Sequence, residues 1–175
     1  MKKNILIIIR GPSCSGKTTL AKKLFSSSNN KTAIIQQDHY REIFNPPGGG
    51  SKHNGEVIPL MIEHNTKVAL ENGYNVILEG VLNVEMYQPV LNSIIEEHLG
   101  ESYLFYLNVS LKETIERGKT KSVSGPFSAA KLKEWYPDAR RPYHKLESLI
   151  PEKFSIDDSF NFIVDAVGRP LWQLT

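Results

Sequence analysis

Apolar runs and helical repeats alternate along this chain. Ile5 to Ile9 is a continuous apolar run and predicts a strand buried on both faces. Leu20, Leu24 and Phe25 follow at helical spacing, and the polar cluster 26–30 closes that helix. Residues 31–37 predict a second strand. Asp38-His39-Tyr40-Arg41 stands at its C-terminal end and opens a helix, with Asp38 as candidate N-cap. Pro59 suits the first turn of the next helix, which runs to about Asn72 and stops at Gly73. Tyr74 to Glu79 predicts a third strand. A helix from Gln88 or Pro89 then buries Val90, Leu91, Ile94, Ile95 and Leu99. Ser102 to Val109 reads as a fourth strand, and Ser110 with Glu113 as a capping box opening another helix. Ser128 to Tyr136 is predicted helical, halted by Pro137, and Phe160 to Asp165 is predicted as a fifth strand. The tail 168–175 has no assignable pattern.

Five strands alternating with helices predict an α/β fold, a parallel sheet covered on both faces. Ligands of such sheets bind outside the carboxyl ends of the strands. Asp38, Glu79 and Asp165 are all predicted to fall at that edge, together with the loop after the first strand.

That loop changes the picture most. Gly11-Pro12-Ser13-Cys14-Ser15-Gly16-Lys17-Thr18 fits G-x-x-x-x-G-K-[ST], the Walker A phosphate loop, in the strand–loop–helix context the motif requires. Its glycines let backbone N–H groups turn inward on a phosphate, and the helix N-terminus adds positive potential. Residues 11–18 and Thr19 are therefore the candidate nucleotide cradle. Lys17 is placed to reach the β- and γ-phosphates, and the Thr18 hydroxyl to bind Mg²⁺. Phosphoryl transfer also needs a proton acceptor, for which Asp38 is the candidate. Arg41, one turn on, could hold an anionic part of the acceptor or the transferring group. Glu79, an acid ending an apolar strand, is a candidate for a metal or substrate role.

With 175 residues the sequence suits a single domain, and its longest apolar run, five residues, is too short to cross a bilayer. One cysteine, Cys14, excludes an internal disulfide and fits a reducing cytoplasm. The net charge of +2 gives no sign of a dedicated nucleic-acid binder. The charge is uneven, however. Residues 117–145 carry eight Lys/Arg and two acids, on an otherwise acidic chain. We read residues from about 118 to 141 as a lid, with Arg117, Arg140 or Arg141 closing on the triphosphate. The Pro- and Gly-rich stretch 45–55 reads as a flap over the substrate. Trp135-Tyr136 could stack on a base, or simply pack the lid helix. The five histidines show no ligand spacing, so no zinc site is expected.

Four segments carry a resemblance: Arg10 to Thr19, Gln37-Asp38-His39-Tyr40-Arg41, Val76-Ile77-Leu78-Glu79-Gly80 and Thr114-Ile115-Glu116-Arg117. They resemble the small P-loop kinases. The likeness is greatest to the group joining the kinase part of polynucleotide kinases, zeta-type toxins and nucleoside or antibiotic kinases. The resemblance implies a P-loop NTPase three-layer sandwich with strand order 2-3-1-4-5. It also implies Asp38 as general base, Lys17 and Thr18 as ATP–Mg²⁺ ligands and Arg117 as the lid arginine. The expected protein is an ATP- and Mg²⁺-dependent kinase of a small-molecule hydroxyl, on a nucleoside, sugar nucleotide or antibiotic. It is expected as a monomer or homodimer, with no membrane or nucleic-acid partner. The alternatives are a kinase of nucleic-acid 5′ ends and a nucleotide-binding switch or ATPase without an acceptor.

Overall fold

The computed structural model describes residues 4–44, 56–119, 128–139 and 147–168. The flap 45–55, Arg140, Arg141 and the tail beyond Gly168 lie outside them. Five parallel strands form one sheet: β1 (Ile5–Arg10), β2 (Thr32–Gln36), β3 (Asn75–Gly80), β4 (Glu101–Asn108) and β5 (Ser148–Pro151). Their order is β2-β3-β1-β4-β5, as the resemblance implied. The helices are α1 (Lys17–Ser27), α2 (Gln37–Phe44), α3 (Val57–Glu71), α4 (Val84–Glu97), α5 (Leu111–Lys119), α6 (Ala129–Ala139) and α7 (Ile156–Val167).

β1 is the central strand, and all six of its residues are buried. Successive side chains leave a strand on opposite faces, so β1 feeds two cores. Ile5, Ile7 and Ile9 pack with Leu20 and Leu24 of α1 and Ile163 of α7. Leu6 and Ile8 pack with Ile62 of α3 and with Leu91 and Ile94 of α4. Each fully buried aliphatic side chain contributes about 1.5–3 kcal/mol, which fixes both helix layers on the sheet. The sheet therefore holds the C-terminal ends of β1, β2 and β3 in one register, Gln36 beside Glu79 and Glu79 beside Ile9.

Several boundaries differ from the sequence reading. Phe160 to Asp165 is not a strand but the heart of α7, so Asp165 is an exposed helical residue away from any strand end. Ser155 and Asp158 cap α7 reciprocally, and Phe160, Ile163, Val164 and Val167 bury one face at helical spacing. The fifth strand is instead Ser148–Pro151. Helix α4 starts at Val84, because Asn83 caps it by accepting from the Glu85 N–H at 2.8 Å, and Pro89 falls inside it. Leu99 lies past its end and is 85 % exposed. α2 begins at Gln37, which makes Asp38 a first-turn residue rather than the cap. Glu113 N–H donates to Ser110 Oγ at 3.3 Å, but the Glu113 carboxylate accepts from Arg117 instead of closing a box. α6 runs on through Pro137 to Ala139.

Candidate active site

The loop between β1 and α1 curls through three residues of positive φ, Gly11 (φ 153°), Cys14 (φ 62°) and Gly16 (φ 101°). Glycine takes that conformation without a Cβ clash, whereas at Cys14 it stores of order 1–3 kcal/mol. The Ser15 N–H donates to the Pro12 carbonyl at 3.2 Å, and α1 begins directly behind. No acid lies in the first turn of α1 itself. Lys17 is buried and folded into the loop, its Nζ donating to Pro12 O at 2.7 Å and to Ser15 Oγ at 3.5 Å. An ammonium and the N-terminus of α1 thus stand together at this loop, a pairing suited to phosphate.

Beside it the Thr18 hydroxyl donates to Glu79 Oε1 at 2.9 Å, and Gln36 Nε2 donates to the same oxygen at 2.9 Å. Glu79 is only 3 % exposed, yet no cationic side chain among the described residues pairs with it. A buried carboxylate without a counter-charge is costly, and a divalent cation would relieve that cost. The described residues contain no cluster of three or more His, Cys, Asp or Glu. One hydroxyl and one carboxylate suit Mg²⁺, which keeps several waters and takes its remaining oxygens from nucleotide phosphates. Thr18 and Glu79 therefore fit a Mg²⁺ ion accompanying a nucleotide.

Arg117 lies on α5 and reaches back to the loop. Its Nε donates to Glu113 at 2.8 Å and its Nη1 to the Ser15 carbonyl at 3.0 Å. Arg117 also forms one wall of a cleft of about 290 Å³ behind the loop, lined further by Gly16, Thr19, Leu107, Ile150 and Pro151. The sequence reading missed this cleft, because about half of its lining comes from β5, the start of α7 and the connection between them. Glu152 sits at its rim, its carboxyl held below the usual range by hydrogen bonding from Ser110. Tyr136 of α6 donates its hydroxyl to the Val109 carbonyl at 2.9 Å, which ties that helix to the end of β4.

Asp38 and Arg41 are solvent-accessible on α2, with Arg41 Nη1 3.7 Å from Asp38 Oδ1. At that exposure the pair contributes little to stability. Beneath them runs a buried polar network. Gln37 Oε1 accepts from the Leu82 N–H at 3.1 Å, and Leu82 O accepts from Arg10 Nε at 3.2 Å. Arg10 Nη1 in turn meets both carboxylate oxygens of Glu147, at 2.9 and 3.2 Å. A Cβ on Gly80 would stand 2.6 Å from the Gln37 side chain, so the close approach of β3 to Gln37 requires glycine. Leu82 is held at φ 43° while fully buried. Tyr87 closes the network; burial pushes its phenol pKa up, against smaller pulls from Gln37 and Arg41. The network links the residue before Asp38, the residue before Gly11 and the start of β5.

Arg10 and Glu147 are almost completely buried, so removing one takes a two-point charged hydrogen bond from the other. Glu147→Leu should therefore cost about 3–5 kcal/mol, whereas the double variant Arg10→Met/Glu147→Leu should recover most of that loss. Denaturant midpoints of the two variants check it; equal destabilisation by both would contradict it.

The AAA domain family model matches residues 6–136. The chain belongs to this family. The AAA domain match takes in the phosphate loop, Asp38, Glu79 and Arg117, and leaves out β5 and α7. No curated protein matches the sequence. Solved structures share the whole architecture, a P-loop NTPase α/β sandwich. The APS kinase CysC of Mycobacterium tuberculosis, in complex with AMPPNP and APS, is 16% identical, with a TM-score of 0.72 over 95% of this chain and 99% of that one. A gluconokinase from Sinorhizobium meliloti 1021 is 12% identical, with a TM-score of 0.70 over 98% and 95%. The tunicamycin resistance protein of Deinococcus radiodurans is 15% identical, with a TM-score of 0.71 over 98% and 99%. At these identities the likeness is one of fold. Among the described residues no helix is long and apolar enough to cross a membrane.

Proposed function

We propose that the chain is an ATP-dependent kinase that transfers the γ-phosphoryl group to a hydroxyl of a small molecule. The carrying observation is that one sheet edge holds a phosphate loop with its lysine and, separately, an exposed carboxylate at the end of β2. In this reading the loop amides and Lys17 hold the triphosphate, and Lys17 exchanges the Pro12 carbonyl for phosphate oxygens. The cleft bounded by Arg117 and Pro151 offers an apolar slot for the nucleotide base. Mg²⁺ bound at Thr18 and Glu79 would neutralise phosphate charge. Asp38 takes the proton of the acceptor hydroxyl as its oxygen bonds to the γ-phosphorus. The bond from that phosphorus to the bridging oxygen breaks, and ADP leaves. Arg41 steadies the acceptor or the transferring group beside Asp38.

Two of the solved neighbours, the APS kinase and the gluconokinase, bear names of small-molecule kinases, which supports this choice of reaction class. The test is ADP release by the purified protein with ATP, Mg²⁺ and pools of nucleosides, sugars and hydroxylated antibiotics. At least one pool is expected to raise the rate well above the acceptor-free rate. A rate that no pool raises, but that single-stranded oligonucleotides raise in a strongly salt-dependent way, would assign the nucleic-acid reaction instead.

A further inference from the structure

Gln36 and Gln37 are consecutive residues of unusual placement, where β2 passes into α2. β2 ends at Gln36 and α2 begins at Gln37, and the two amides go to different partners. Gln37 serves the buried network under Asp38. Gln36 lies in register with Glu79, and the row continues to Ile9 of β1. Side chains in one row of a parallel sheet share a face, and that face is covered by α1, the helix that carries Thr18. Gln36 Nε2 and Thr18 Oγ1 consequently converge on a single atom, Glu79 Oε1, both at 2.9 Å. Glu79 Oε2 takes no hydrogen bond from a described residue.

A carboxylate gripped on one oxygen by two donors from two different elements cannot rotate freely about its terminal torsion, which is otherwise broad. The buried Glu79 forms no ion pair with a described residue. We propose that Gln36 is a positioning residue, whose amide fixes the Glu79 carboxylate so that its second oxygen is presented to the cation accompanying the nucleotide. This rests on the reading of Thr18 and Glu79 as the groups facing that cation. Groups that orient a metal-binding carboxylate act through it, and their loss typically weakens metal binding 10- to 100-fold. Gln36 is only part-buried at the end of β2.

The experiment is calorimetric titration with a non-hydrolysable ATP analogue, with and without Mg²⁺, on the wild type, Gln36→Met, Gln36→Ala and Glu79→Gln. Met keeps the length and apolar stem of Gln36 but lacks the donor. Both Gln36 variants are expected to lose about ten-fold or more of the Mg²⁺-dependent gain in affinity, with the metal-free affinity unchanged. A gain within about two-fold of wild type in Gln36→Met, while Glu79→Gln loses it, would overturn the role of Gln36 alone. A full gain in Glu79→Gln would instead overturn the cation reading on which the proposal rests. Loss of metal-free affinity in both Gln36 variants would show that the side chain supports the loop rather than the carboxylate, and would also overturn it.

Discussion

Asp38→Asn is expected to lower kcat for the true acceptor by about 10²- to 10⁴-fold, the usual contribution of a positioned general base. The amide keeps the size of the carboxylate but cannot take a proton. Asp38 is an exposed side chain on α2 beside Arg41, so nucleotide binding and folding should both survive. The affinity for ATP, measured by titration with a non-hydrolysable analogue, should stay within about three-fold of wild type, because the lost interaction belongs to the transition state. A kcat within about two-fold of wild type would remove Asp38 from the chemistry.

Lys17→Ala should be more damaging and in a different way. Lys17 is the one ammonium buried in the described loop, already hydrogen-bonded to Pro12 O and Ser15 Oγ. A charge-assisted hydrogen bond to phosphate contributes about 1.5–3 kcal/mol, so ATP binding should weaken by roughly 10- to 150-fold. The same charge neutralises the transferring group, and turnover should fall by a further 10²- to 10³-fold, in line with removal of one electrostatic stabiliser. The two variants thus separate binding from chemistry. Lys17→Ala raises the dissociation constant and lowers the rate, whereas Asp38→Asn lowers the rate alone. Titration with the analogue and single-turnover kinetics read the two effects independently. Undiminished activity in Lys17→Ala would contradict the whole reading.

Much of this site is local in sequence, and that portion was legible. The loop from Gly11 to Thr18 declares itself by spacing, and its flanking strand and helix follow from an apolar run and a helical repeat. Glu79 could be placed because it ends the apolar stretch Val76 to Leu78, and Asp38 because it follows the short predicted strand 31–37. The rest depends on contacts between distant segments. Arg10 and Glu147 are 137 residues apart and meet only because β5 lies two strands from β1. Gln36 reads as an ordinary strand end until the β2–β3 register sets it beside Glu79. The base-sized cleft was hidden because β5 was misplaced. Ser148–Pro151 is four residues long, too short for any alternation to show, while Phe160 to Val164 is rich in the aromatic and β-branched residues that favour strands. A helix signal was nonetheless present there. Ser155 with Asp158 is a helix start, and Phe160, Ile163, Val164 and Val167 keep a helical period.

The reaction itself is tested most directly by phosphorus NMR of the purified wild-type protein incubated with ATP, Mg²⁺ and a hydroxyl-bearing acceptor pool that stimulates ADP release. The proposed function predicts a new phosphomonoester signal that grows in step with ADP and is absent with Asp38→Asn. Growth of inorganic phosphate alone, at the same rate with and without every acceptor pool, would contradict it and leave the protein a nucleotide hydrolase.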